Sequence, residues 1–166
     1  MASITLGGNA VNTSGNLPAE GSKAPDFTLV AADLSRTSLG DFAGKRLIVS
    51  IFPSIDTGIC AKSTHVFAEA VKGRDDVAFV TISADLPFAA KRWCGAEGVD
   101  NAMTLSTFDG SSFGDDYGIR MVDGKMAGFL GRAALVIDGE GNVVHSQLVP
   151  EIAQEPDYDA VLAALG

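Results

Sequence analysis

Two short apolar runs bracket a stretch with helical spacing, and that alternation leaves few architectures open. Arg46-Leu-Ile-Val-Ser-Ile-Phe52 and Val77-Ala-Phe-Val-Thr-Ile-Ser83 are rich enough in β-branched and apolar side chains to be strands buried on both faces of a sheet. Between them Ile59, Val66, Phe67, Ala70 and Val71 recur at the spacing of one helix face, which predicts a helix over 59–72. Strand, helix and strand in that order imply a parallel pair joined by a crossover. The fold class is therefore α/β.

The rest of the chain extends this unit. Asp85-Leu-Pro87 opens a further helix, with proline near its first position and Gly95 near its end. Ala133–Asp138 and Asn142–Val149 flank Gly139-Glu-Gly141, a hairpin signal, and Pro156–Leu165 reads as a closing amphipathic helix. Short strand-like runs around Gly7-Gly8, within residues 3–16, predict an N-terminal β-hairpin. Phe27–Val30 alternates as a strand, Asp33–Arg36 reads as a turn and Asp41–Lys45 as a loop. No repeat or linker interrupts the 166 residues, so 1–166 is read as one domain.

Charge narrows the function. The formal net charge is −9. Nucleic-acid binding needs a basic stripe to replace phosphate counterions, and an anionic membrane surface repels such a chain. The first residues show neither a basic nor an apolar signal segment, and the longest apolar stretch, Leu47–Phe52, is too short to span a bilayer. The expectation is a cytoplasmic protein, where thiols stay reduced. There, two cysteines fit catalysis or simple burial better than a structural staple. His65 and His145 are the only histidines and no Cys-x-x-Cys occurs, so no metal or cofactor is expected.

Cys60 falls where the first buried run has ended and the helix begins. With Thr57 as N-cap, it is the third helical residue, among free N–H groups and the positive end of the helix dipole. Both stabilise a thiolate. A free cysteine is only about 3% ionised at pH 7, so full ionisation gains about 30-fold in rate. Faster chemistry needs donors aimed at a breaking bond. The Thr57 hydroxyl, the turn's N–H groups and one guanidinium can supply them, with Pro53 and Ile55 keeping water out. Position alone also fits a small buried hydrophobe.

Pro53-x-x-x-Thr57-x-x-Cys60 resembles the peroxidatic motif of the peroxiredoxins. The string Phe52–Cys60 is similar to the bacterial thiol peroxidases among them, as are Ser83–Ala89, Cys94–Gly98, Thr104–Thr107 and Gln154–Tyr158. The resemblance implies a thioredoxin-like fold, a central mixed sheet flanked by helices, which the element order also outlines. It implies a thioredoxin-dependent peroxidase acting on hydrogen peroxide and organic hydroperoxides in antioxidant defence, and a homodimer. Cys60 would be the peroxidatic and Cys94 the resolving cysteine, joined as a redox-active disulfide within one chain. Thr57 and Arg132 would bind and polarise the peroxide.

Cys94 sits near the end of its helix, where the dipole disfavours a thiolate while Lys91 and Arg92 favour one. The cysteines occupy different helices, so a disulfide between them requires both helices to rearrange. Spacing does not bring Arg132 near Cys60; read by itself, it is an exposed charge at a strand start. A redox relay and a non-catalytic binding module are the competing readings.

Overall fold

The computed structural model describes all residues, Met1–Gly166. The chain forms β1 (Ser3–Leu6), β2 (Asn9–Asn12), β3 (Thr28–Ala31), β4 (Arg36–Ser38), β5 (Arg46–Ile51), α1 (Gly58–Ala70), β6 (Val77–Ser83) and α2 (Pro87–Glu97). β7 (Met103–Ser106), α3 (Phe113–Asp116), β8 (Ala133–Ile137), β9 (Val143–Leu148) and α4 (Tyr158–Leu165) follow. Seven strands make one sheet in the order β4-β3-β7-β6-β5-β8-β9, while β1 and β2 pair separately. β5 runs parallel to β6, and β6 to β7; the remaining neighbours are antiparallel. A mixed sheet with an N-terminal hairpin is the expected arrangement.

Strand alternation divides the core. Leu47, Val49 and Ile51 of β5 face a cluster with Leu29, Val80, Leu135, Phe113 and Tyr117. Ile48 and Phe52 face the other side, where Phe67 of α1, Trp93 of α2 and Val161 of α4 cover the sheet. Cys60 belongs to this second cluster.

Several local expectations are corrected. The buried face of α1 is Cys60, Ser63, Thr64, Phe67 and Ala68, whereas Ile59 and Val66 are half-buried and Ala70 is exposed. The Ser63 and Thr64 hydroxyls donate to the Cys60 carbonyl at 3.1 and 2.9 Å, so these polar side chains turn inward at little cost. Arg36 lies in a strand rather than a turn, and a short 3-10 turn over Leu39–Phe42 occupies part of the expected loop. Gly95 does lie in the last turn of α2, as expected, and Gly98, with a left-handed φ of 68°, ends the helix.

The hairpin turns at Gly7 and Gly8, whose φ values of 58° and 82° are those a tight two-residue turn demands. It is fastened to the body at residues 150–152. Thr5 N–H donates to the Pro150 carbonyl at 2.8 Å and Ile152 N–H to the Thr5 carbonyl at 2.9 Å. The Glu151 carboxylate accepts from the Thr5 hydroxyl and from the N–H groups of Gly7 (2.9 Å) and Gly8 (3.2 Å). These donors favour the ionised form, led by the Thr5 hydroxyl, and pull the Glu151 pKa down from 4.5 to about 2.

A depressed carboxylate pKa stabilises the folded state above its unfolded value, and that stabilisation is lost as pH falls through the folded value. The hairpin clasp is therefore at full strength above pH 4.5 and weakens as the pH drops toward 2. Amide hydrogen exchange in β1 and β2 should quicken over that window in the parent protein. Glu151→Gln should flatten the pH dependence; an unchanged profile contradicts the clasp.

Candidate active site

The parallel register of β5 and β6 sets the frame, pairing Ile51 with Ile82. Their carboxyl ends therefore emerge side by side, the usual location for reactive loops on parallel strands. From β5 the chain passes through Phe52 and Pro53, both buried, to Thr57, the N-cap of α1. Cys60 is the third residue of that helix and is wholly inaccessible, at 0%.

Its sulfur is not an idle apolar atom. The Thr57 hydroxyl does not cap the helix backbone; it reaches Cys60 Sγ at 2.7 Å. Arg132 Nη1 donates to the same sulfur at 3.1 Å. Arg132 lies immediately before β8, and β8 pairs with β5, so the sheet carries the guanidinium to a helix start that is 72 positions away in sequence. The structure thus corrects the reading of Arg132 as an exposed strand-start charge: it is only 4% exposed.

Arg132 Nε donates to the Ile152 carbonyl at 2.8 Å, and no carboxylate pairs with the guanidinium. A buried cation without a counter-charge carries a penalty of several kcal/mol. The Cys60 sulfur is the side-chain acceptor that meets it. The helix start adds to the same field. Apolar neighbours, with Ile55 at 3% exposure, exclude competing water.

A further residue orders the loop. Asp85 follows β6 as Pro53 follows β5. Its carboxylate accepts from the Ser54 hydroxyl and the Ile55 N–H, each at 2.7 Å, and from the Ser83 hydroxyl at 2.6 Å. This carboxylate staples the loop before Cys60 to the segment that leads into α2. In the sequence Asp85 marks only the opening of a helix and one position of the Ser83–Ala89 string, with no role at the site. The signal was present in the polar residues just beyond two adjacent parallel strands.

Cys94 is not brought to the Cys60 sulfur. Both cysteines are free, and Cys94 sits half-buried on α2 beside Trp93. Burial pushes its thiol pKa up. The two cysteines thus have opposite environments: one sulfur receives two donors, the other is held toward the neutral form. His65 lies on the surface, 3.2 Å from Glu97. No group of three or more side chains capable of holding a metal occurs.

The chain resembles known proteins in sequence and in fold. The sequence model of the Redoxin family matches residues 19–162. The chain is 54% identical over 166 residues to a thiol peroxidase of Mycobacterium tuberculosis strain H37Rv, covering 100% of this chain and 99% of that one. A peroxiredoxin-like protein from Aquifex aeolicus superposes with a TM-score of 0.93 at 34% identity, covering 99% of this chain and 96% of that one. A thiol peroxidase from Chromobacterium violaceum, at 20% identity, shares the fold with a TM-score of 0.91, covering 99% and 96%.

Asp85→Asn keeps the shape but turns an amide donor toward groups that are themselves donors. Loss of the charged acceptor should lower unfolding free energy by about 1–3 kcal/mol in urea titration. It should also remove exchange protection from the Ile55 amide. Retention of both would show that the staple is not what orders the loop.

Proposed function

The chain belongs to the Redoxin family, among the thiol peroxidases, and from that premise we propose that it reduces hydroperoxides through Cys60, with Cys94 closing a disulfide. It has the thioredoxin-like fold of its relatives and the thiol-dependent peroxidase activity of its family. The observation that carries the finer reading is the contact between Cys60 Sγ and a buried Arg132 that lacks any carboxylate partner.

The chemistry follows from that contact. The Cys60 thiolate attacks the terminal oxygen of a hydroperoxide in line with the oxygen–oxygen bond. That bond breaks, the sulfur gains oxygen as a sulfenic acid, and the departing alkoxide or hydroxide takes up a proton. As negative charge moves from sulfur to oxygen, Arg132 and Thr57 stay within reach of both and stabilise the transition state more than the resting thiolate. Pro53 and Ile55 keep the site dry, which strengthens these donors.

Cys94 then attacks the sulfenic sulfur; a sulfur–sulfur bond forms and water leaves. The sulfur of Cys94 must first lose its proton, and its half-buried setting suits a thiol that waits for an electrophile rather than reacting with peroxide itself. Because Cys60 is enclosed and Cys94 lies on another helix, the start of α1 and the α2 segment must both rearrange before the sulfurs meet. An external dithiol restores both thiols by exchange. We assign that role to thioredoxin.

The working form in this reading is a cytoplasmic homodimer. Leu86 and Phe88, 51% and 65% exposed at the start of α2, support a partner face close to the Asp85 staple.

Cys60→Ser should abolish peroxide consumption. Cys94→Ser should react once and stop, its intact mass rising by one oxygen, then two with excess peroxide. The parent treated with one equivalent should lose two hydrogens, mapped to a Cys60–Cys94 bridge. Turnover in Cys60→Ser, or normal cycling of Cys94→Ser with thioredoxin, contradicts the assignment.

A further inference from the structure

The N-terminal hairpin lies wholly before residue 19, where the Redoxin match begins, so it is an addition to the part of the chain that the family model describes. It nevertheless touches the neighbours of Arg132 on two sides. Ile4 of β1 is 1% exposed and packs against Gly131, the residue before Arg132. A Cβ built on Gly131 would stand 3.5 Å from Ile4 Cδ1, in ordinary contact, and 3.1 Å from Ile119 Cδ1, so a side chain there would press on Ile119.

On the other side, the hairpin grips the segment that holds the arginine. Thr5 pairs in parallel with Glu151. Its backbone bonds to Pro150 and Ile152 fix that segment's path, and the Ile152 side chain packs with Ile4, Val11 and Met121. The same segment touches Arg132 twice. Val149 N–H donates to the Arg132 carbonyl at 2.9 Å, and the Ile152 carbonyl receives Arg132 Nε at 2.8 Å.

A guanidinium is planar and rigid, so fixing Nε sets where its remaining donors point. We infer that the hairpin is a positioning element of the active site: it holds residues 149–152 so that the Ile152 carbonyl aims Arg132 Nη1 at the Cys60 sulfur. Glu151 is the latch, accepting from Thr5, Gly7 and Gly8 of the hairpin and from Ala153 of its own segment. Neither the hairpin nor Glu151 touches the reacting atoms; both act through Arg132. This rests on the reading of Arg132 as the residue that polarises the peroxide.

A double-mutant cycle on the full chain separates positioning from general stability. The readout is the single-turnover rate constant for Cys60 oxidation by hydrogen peroxide. Glu151→Ala should lower it about tenfold, a fraction of the loss that a 1 Å misplacement of a catalytic group can cause. Glu151→Gln, which keeps one acceptor oxygen, should lie between. Arg132→Ala alone should lower the rate about 100-fold. Adding Glu151→Ala to it should change nothing more.

Oxidation of Glu151→Ala at the parent rate, or the same tenfold loss on both backgrounds, overturns the inference. Should Glu151→Ala fail to fold, Thr5→Val, which removes one latch donor, decides through the same cycle. A parent protein inert to peroxide would instead overturn the proposed function, a distinct result.

Discussion

A guanidinium sealed from water needs acceptors for its donors, and the fork of Arg132 finds one of them in a sulfur. Arg132 has no carboxylate partner, and its remaining fork reaches Cys60. The pairing is mutually dependent: the sulfur gives the buried guanidinium an acceptor, and the guanidinium gives the buried sulfur a donor. Remove either group and the other loses its partner beside an apolar cluster that includes Phe52, Ile55 and Phe67. The surrounding architecture serves this contact.

Each layer contributes one constraint. Parallel pairing of β5 with β6 presents the Cys60 loop and the Asp85 turn side by side, and the Asp85 carboxylate ties them. Antiparallel pairing of β8 with β5 brings Arg132 to the same end of the sheet. Ser63 and Thr64 hold the first turn of α1 through the Cys60 carbonyl. Cys94 stands apart on α2, where burial keeps its proton in place. Loop, helix start and the end of the sheet thus create a difference between two cysteines that composition alone treats as equivalent.

How far the sequence discloses this depends on sequence distance. The start of α1 was legible because an apolar run, a threonine and a helical period lie within a few residues of one another. The hairpin at Gly7-Gly8 and the Gly139–Gly141 turn were legible for the same local reason. Strands β4 and β7, of 3 and 4 residues, were missed because so short a run carries too little period to stand out. The inward face of α1 was misjudged because hydroxyls bonded to the backbone occupy positions that a hydrophobic pattern assigns to apolar side chains. The place of Arg132 depends on strand pairing across the sheet, which spacing does not encode; only the motif resemblance suggested it. The latch at Glu151 depends on a contact with residues about 144 positions earlier, and no sequence signal marked it.

The ionisation state of the Cys60 sulfur at neutral pH tests the account most directly. Ultraviolet thiolate absorbance of the reduced protein should show one anion at pH 7. That signal should vanish in Cys60→Ser and persist in Cys94→Ser. A folded, reduced protein with no thiolate absorbance at neutral pH, or with a signal that follows Cys94, would contradict it.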